Sequence, residues 1–447
     1  MRASARAIMT SAAGLGLVMM DNTAVTLALP AIAASLGAVV ADLQWVLSAP
    51  LLAAAVVLPL AGAIGDRYGA LRAMRIGLLV FAVAALVVAT SPDVVTLIVA
   101  RAAQGVGQAF MLPNGAALLA ANVPVARRTR AVSTWISVSS LGLVLGPLGG
   151  GLAIEHLGWR WLFAGHLLVA VAGIIGTRRL SDSEHRSPHP IDLRGVVAGG
   201  AALFCTCFGL IELGRPSGRT GLALLGLGLG VAAAGAFVAI QRRRPHPLLD
   251  FGMLRNRQFA AVVLAALVYN GALSGTTFLL SLLMQNARGV APGAVGLILL
   301  CATAGIPLGS QLAGSLGTRL GLRVVMAAAA LVLGIGYTIV AGLALAPPAL
   351  LAVPLLITGL ASGALFASDT VAALAVATPQ KVSSGLASVS LSRQVGSLLG
   401  IAGLGALSAA VTPVSQPAGA RVAMVMAGLV VLPCALLLWR YVRHQAP

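Results

Sequence analysis

Fourteen apolar runs divide the chain, broken by clusters of charge, glycine or proline: 8–33, 45–65, 74–91, 95–119, 132–154, 161–178, 194–212, 221–240, 259–284, 293–314, 323–346, 350–374, 385–411 and 421–439. Each is close to the ~20 residues that a helix needs to cross a bilayer core. The pattern therefore predicts an all-α integral membrane protein with fourteen spans and short loops. Near the middle of the first run stands a carboxylate, Asp21, followed by Asn22 and Thr23. A charge at that depth costs at least roughly 2.5–3.5 kcal/mol on insertion scales, so it is expected to face a polar interior and to have a function there. The run is too long for the apolar part of a secretory signal, and it carries Asp21, so a retained first span is expected.

Composition agrees with the pattern. Apolar residues make up 59% of the 447 and charged residues 9%, against about 25% charged in a soluble domain. The net charge of +18 does not point to nucleic acid, because the basic residues punctuate apolar runs and build no continuous face. Their placement instead sets a topology. With the N-terminus in the cytoplasm, 22 of the 29 basic residues fall in segments expected inside and 5 outside, leaving Arg101 and Arg393 within spans. The positive-inside rule is then met across an even number of crossings, with both termini cytoplasmic. Cys205, Cys207, Cys301 and Cys434 all lie in apolar runs and read as small buried hydrophobes.

A repeat divides the chain. Gly62, Gly65, Arg67 and Gly69 after the second span recur at the same offsets as Gly314, Gly317, Arg319 and Gly321 after the tenth. Two parallel six-helix halves account for this if spans seven and eight are an inserted pair, a known transporter plan. The expected division is 1–180, then 181–257 as cytoplasmic connectors with the inserted pair, then 258–447.

The stretch Gly62-x-x-Gly65-Asp66-Arg67-x-Gly69-x-x-Arg72 resembles the loop signature of the major facilitator superfamily. Its glycines allow a tight turn and close helix approach, and its acid lies beside two arginines at a membrane boundary. The resemblance implies that Asp66 and Arg67 latch one state of an alternating-access cycle. Arg101-x-x-Gln104-Gly105 is similar to a fourth-span motif of the superfamily, whose arginine is implicated in proton transfer. From the residues alone, Arg101 either has an intramembrane partner or reaches the outer headgroups. Gly142, Gly146 and Gly150 repeat every four residues and make one flat helix face, with Pro147 and Gly149 between them. That fifth-span motif resembles that of exporters working by exchange, and implies a packing hinge. Asp21-x-Thr23-x-Val25-x-x-Ala28-Leu29-Pro30, Trp159 to Phe163, Pro247 to Asp250 with Leu254 to Phe259, and Arg393-Gln394-x-Gly396-x-x-x-Gly400 are similar to the fourteen-span drug:proton antiporter family. His166 stands where that family commonly has Asn, and Thr318 replaces the acid of the second loop copy.

Only two carboxylates fall at membrane depth, Asp21 and Asp369. Desolvation favours the protonated form of such a group and a nearby arginine favours the anion, so movement of Arg101 relative to Asp21 would switch proton affinity. For Asp369, an ion pair with Lys381 or Arg393 and a part in transport are both open. His166 reads first as a hydrogen-bonded interior residue and second as a relay. Polar or aromatic residues within spans that are candidates to line a substrate cavity are Asn22, Gln108, Asn114, Trp135, Tyr269, Asn270, Gln311 and Tyr337. With so few intramembrane acids, such a cavity suits amphipathic organic compounds better than sugars.

These features together lead to the expectation of a proton-coupled exporter of drug-like or antibiotic-like compounds, working as a monomer in the cytoplasmic membrane. A metabolite transporter on the same fold is the alternative. An integral-membrane enzyme would need clustered acids or histidines that the sequence lacks, and a structural or sensory protein would not need the repeated gating loop. No catalytic residues, metal ligands or cofactor are expected; the energy source would be the proton gradient, since no phosphate-binding loop of the Gly-x-x-x-x-Gly-Lys-Ser/Thr type occurs.

Overall fold

A computed structural model describes residues 2–124, 128–178, 180–182, 192–215, 219–244, 251–376, 382–411 and 417–442. Among them are fourteen helices long and apolar enough to cross a membrane. They are α1 (Arg2–Leu36), α2 (Val40–Tyr68), α3 (Ala70–Ala89), α4 (Val94–Asn122), α5 (Arg128–His156), α6 (Trp159–Gly176), α7 (Leu193–Leu213), α8 (Thr220–Arg242), α9 (Arg257–Leu282), α10 (Pro292–Leu320), α11 (Leu322–Leu343), α12 (Ala352–Val376), α13 (Val382–Val411) and α14 (Pro417–Tyr441). Every predicted span is present, and no strand occurs among the described residues. Lys381, Pro247 to Asp250 and the connector arginines Arg127, Arg179 and Arg186 lie outside the described residues, as does Arg443.

Several helix starts are legible in local chemistry. Asp93 caps α4, accepting from Thr96 N–H and Thr96 Oγ1, both at 2.8 Å, and these bonds hold its carboxyl below the usual carboxylate range. Asn256 caps α9 by accepting from the amides of Gln258 and Phe259. The loop signature is less of a loop than the sequence suggests. Helix α2 runs on through Gly62, Gly65, Asp66 and Arg67 to Tyr68, and only Gly69 interrupts it before α3. The second copy does the same: α10 continues to Leu320, and Gly321 alone separates it from α11. Gly69 and Gly321 have φ of 106° and 83°, a region that L side chains rarely adopt. The amide of Gly69 donates to Gly65 O, and that of Gly321 to Gly317 O, so the repeat read in the sequence is a repeat of backbone geometry.

The chain splits into two compact units. The first comprises 1–200 and 291–296. In it α1 lies along α5, while α2 and α3 flank α4. The α1–α5 contact is set by the four-residue glycine repeat: Gly142 meets the backbone of Gly16, Gly146 meets Met20 and Thr23, and Gly150 meets Ala24. A Cβ at Gly146 would lie 3.0 Å from the Met20 carbonyl oxygen and collide with the Thr23 hydroxyl. Gly149 is exposed and has nothing within 4 Å of where a Cβ would stand. Gly146→Val is therefore expected to lower thermal stability in detergent by about 1–3 kcal/mol or more, and Gly149→Ala to leave it unchanged, as read by fluorescence-detected size exclusion after heating. Pro147 sits within the continuous helix α5 and is buried.

The second unit comprises 201–290 and 297–447. Here α9 pairs with α13 and α11 with α14, again through glycines, Gly271 against Gly396 and Gly334 against Gly428. Its core gathers Phe259, Tyr269, Met326, Leu333, Tyr337 and Leu365.

Candidate functional site

Arg101, Gln104 and Gln108 are spaced i, i+3 and i+7, which puts all three on one face of α4. That face meets Asp21 of α1. Arg101 Nη1 donates to Asp21 Oδ1 at 2.6 Å and to Gln104 Oε1 at 2.7 Å. Arg101 Nε donates to the Val46 carbonyl of α2 at 3.1 Å, and its guanidinium stands 5.8 Å from the Phe163 ring centroid. Gln108 Nε2 donates to the other carboxylate oxygen of Asp21 at 3.0 Å. Asp21 is 0% and Arg101 1% exposed, so the arginine does not reach for headgroups; its partner is the carboxylate. Gly105 brings α4 against the backbone of Pro50 on α2, which is how the Val46 carbonyl comes within reach.

His166 completes the cluster from α6. Its Nδ1 is 3.8 Å from Asp21 Oδ1, and its ring stands edge-on to Phe81 and Phe163. The sequence favours a hydrogen-bonded interior residue here, but neither ring nitrogen has a hydrogen-bond partner among the described residues. The reason is the surroundings: two phenyl rings offer no acceptor, and 3.8 Å from Asp21 is too far for a hydrogen bond. Gln108, read from sequence only as a polar residue in a span, belongs to this cluster. The signal that places it there is its seven-residue spacing from Arg101.

At the α2–α3 junction Asp66, Arg67 and Arg72 are all exposed. Asp66 forms no ion pair with Arg67 or Arg72 among the described contacts, and Arg67 stacks on Tyr68 at 5.5 Å. The acid at the junction is instead Asp182, which follows α6 and which the sequence leaves in a connector. Asp182 Oδ1 accepts the amide of Leu71 at 3.0 Å, one of the four amides that the start of α3 leaves without a helical partner. Its carboxylate fills the space where a Gly69 side chain would stand. Arg75 donates to Thr177 Oγ1 and to Thr177 O, both at 2.9 Å, and Asn122 exchanges two hydrogen bonds with the Ser181 backbone. These contacts tie the cytoplasm-side ends expected for α3, α4 and α6 together. Asp182→Ala is expected to cost roughly 0.5–2 kcal/mol, seen as a lower unfolding temperature in detergent.

The remaining candidates scatter. Asn114 is buried and donates to Ala61 O and Phe110 O, with Gly65 closing on its side-chain oxygen; it packs α2 on α4. Asn22 and Gln311 are exposed and Trp135 is half-buried. Asn270 donates to Ala266 O within its own helix. Tyr337 is in the core of the second unit, and Tyr269 bonds Asp369. Asp369 is paired with Arg393 at 3.1 Å. Among the described residues no cluster of three or more His, Cys, Asp or Glu has metal-binding geometry.

The model of the Major Facilitator Superfamily matches residues 12–286 and 262–447. The methylenomycin A resistance protein of Streptomyces coelicolor is 29% identical over 433 residues, covering 96% of this chain and 91% of that protein. The multidrug resistance protein Stp of Mycobacterium tuberculosis is 31% identical over 409 residues, 89% of this chain and 75% of that one. The puromycin resistance protein pur8 of Streptomyces alboniger is 31% identical over 403 residues, 89% and 80% of the two chains. Among solved structures, a peptide transporter POT in complex with sulfate superposes with a TM-score of 0.74 at 17% identity, over 98% of this chain and 94% of that one. That likeness is one of fold.

Proposed function

The chain belongs to the major facilitator superfamily, a family of transporters rather than enzymes, and from that premise we propose that it exports antibiotic-like organic compounds in exchange for protons. The observation that carries the proton half is the enclosed Asp21–Arg101–Gln108 cluster. A buried anion needs its cation, and a protonated carboxyl does not. Protonation of Asp21 releases Arg101, and deprotonation draws it back. Because α1 is held to α5 by its glycine contacts and α4 is flanked by α2 and α3, making and breaking this one bond biases how these helix groups meet. Inward proton movement supplies roughly 2.3 kcal/mol per 100 mV of membrane potential, in addition to any pH gradient.

The export half is supported by relatives named for resistance to methylenomycin A, to puromycin and to multiple drugs, and by the scarcity of intramembrane acids, which suits apolar or amphipathic cargo. Asp66 and Arg67 act at the cytoplasmic gate, with both termini on that side, and one chain suffices for transport. The test is a susceptibility panel in a host lacking its own efflux pumps. Expression is expected to raise tolerance to at least one of methylenomycin A, puromycin and lipophilic dyes at least several-fold over empty vector. Greater sensitivity on expression, with the compound accumulating inside, would instead mean import.

A further inference from the structure

The second unit has a buried carboxylate of its own. Asp369 on α12 is 1% exposed, and three donors from three different residues converge on it: Tyr269 OH from α9 at 3.0 Å, Arg393 Nη2 from α13 at 3.1 Å, and Thr370 Oγ1 at 3.2 Å. We propose that Asp369, with Tyr269 and Arg393, is a second proton-binding site, which loads and unloads a proton as Arg393 leaves and returns. Its use in transport rests on the antiport reading; its ability to bind a proton does not.

Three features distinguish it from a purely structural ion pair. The first is its hydroxyls. Tyr269 donates to the anion and can accept from the protonated carboxyl by rotating, while the one proton of Thr370 Oγ1 has two acceptors in reach, Asp369 Oδ1 at 3.2 Å and Phe366 O at 3.1 Å, and can turn from the first to the second when the carboxyl is protonated. The second is the arginine. Arg393 Nη2 also donates to Thr370 Oγ1 at 3.0 Å, and its guanidinium lies 3.8 Å from the Phe366 ring centroid. It is 12% exposed, where Arg101 is 1%. It therefore has a cation–π seat and an edge of open space to hold it when Asp369 is neutral. The third is position. Arg393 precedes by one turn Gly396, which meets the backbone of α9 at Leu267, and Tyr269 stands between that contact and the Gly271–Gly400 contact. A change of charge here acts on the glycine seam joining α9 to α13.

No other described ionisable group enters this set of bonds. Helix α11 brings Tyr337 to the same core, and α10, which meets α12 through Gly305 and Gly309, carries Arg319 in its last turn, where it is exposed.

The test is infrared spectroscopy of the purified protein in liposomes, following the protonated-carboxyl band from about pH 9 to about pH 5, where solvated carboxylates stay ionised. The wild type is expected to gain signal, and Asp369→Asn to lose a distinct share of it. An Asp369→Asn difference spectrum equal to the wild type's would overturn the proposal. If Asp369→Asn does not fold, Asp369→Glu takes its place: a displaced titration curve supports the site, and a curve superimposable on the wild type's overturns it. No transported compound is needed. Loss of the Asp369 share in a protein that protects against nothing would support this site while refuting the efflux reading.

Discussion

Replacing Asp21 by Asn is expected to abolish drug protection while the protein still reaches the membrane. Asn keeps the shape of the side chain and an oxygen for Arg101, but it cannot take up a proton, so the bond to Arg101 loses its switch. Tolerance should fall at least tenfold on compounds to which the wild type confers strong resistance, to the level of empty vector. The variant leaves a cation without its anion, since Arg101 is enclosed and would keep only neutral partners, the Asn oxygen, Gln104, the Val46 carbonyl and the face of Phe163. The double variant Asp21→Asn with Arg101→Gln removes both charges. It should be folded and equally inactive, which separates lost coupling from lost structure.

Arg101→Gln alone should show the largest effect on stability. It leaves an anion that is 0% exposed with Gln108 as its remaining donor. Breaking a buried pair by removing one partner costs roughly 3–5 kcal/mol. Adding Asp21→Asn should recover most of the loss, because no anion is then left without its cation. Thermal unfolding in detergent, on the wild type, the two single variants and the double variant, gives the coupling energy directly.

How far the sequence reached can be judged residue by residue. Long apolar runs and the arginine asymmetry made the fourteen helices readable, because the bilayer imposes both length and charge placement. The glycines of α5 announced a packing face by their spacing, and Gly142, Gly146 and Gly150 occupy one; Gly149 shares the motif but not the face. Asp21 and Arg101 each stood out as a charge within a span. Their bond joins residues 80 apart in sequence, and periodicity along one helix carries no information on which other helix it meets. Gln108 could have been placed by its register with Arg101. Asp182 could not: it lies in a polar connector, and only the chain's return past α3 gives it the Leu71 amide. Adjacency in sequence put Asp66 beside Arg67 and Arg72, but α2 carries Asp66 and Arg67 on to Tyr68 while Arg72 belongs to α3, and all three are exposed.

Coupling of protons to export through Asp21 can be read in everted membrane vesicles with an acid interior, monitored by a pH-sensitive dye. On addition of a compound against which the wild type protects, wild-type vesicles should lose interior protons, and Asp21→Asn vesicles containing equal protein should lose none. Equal proton loss from the two would contradict the account.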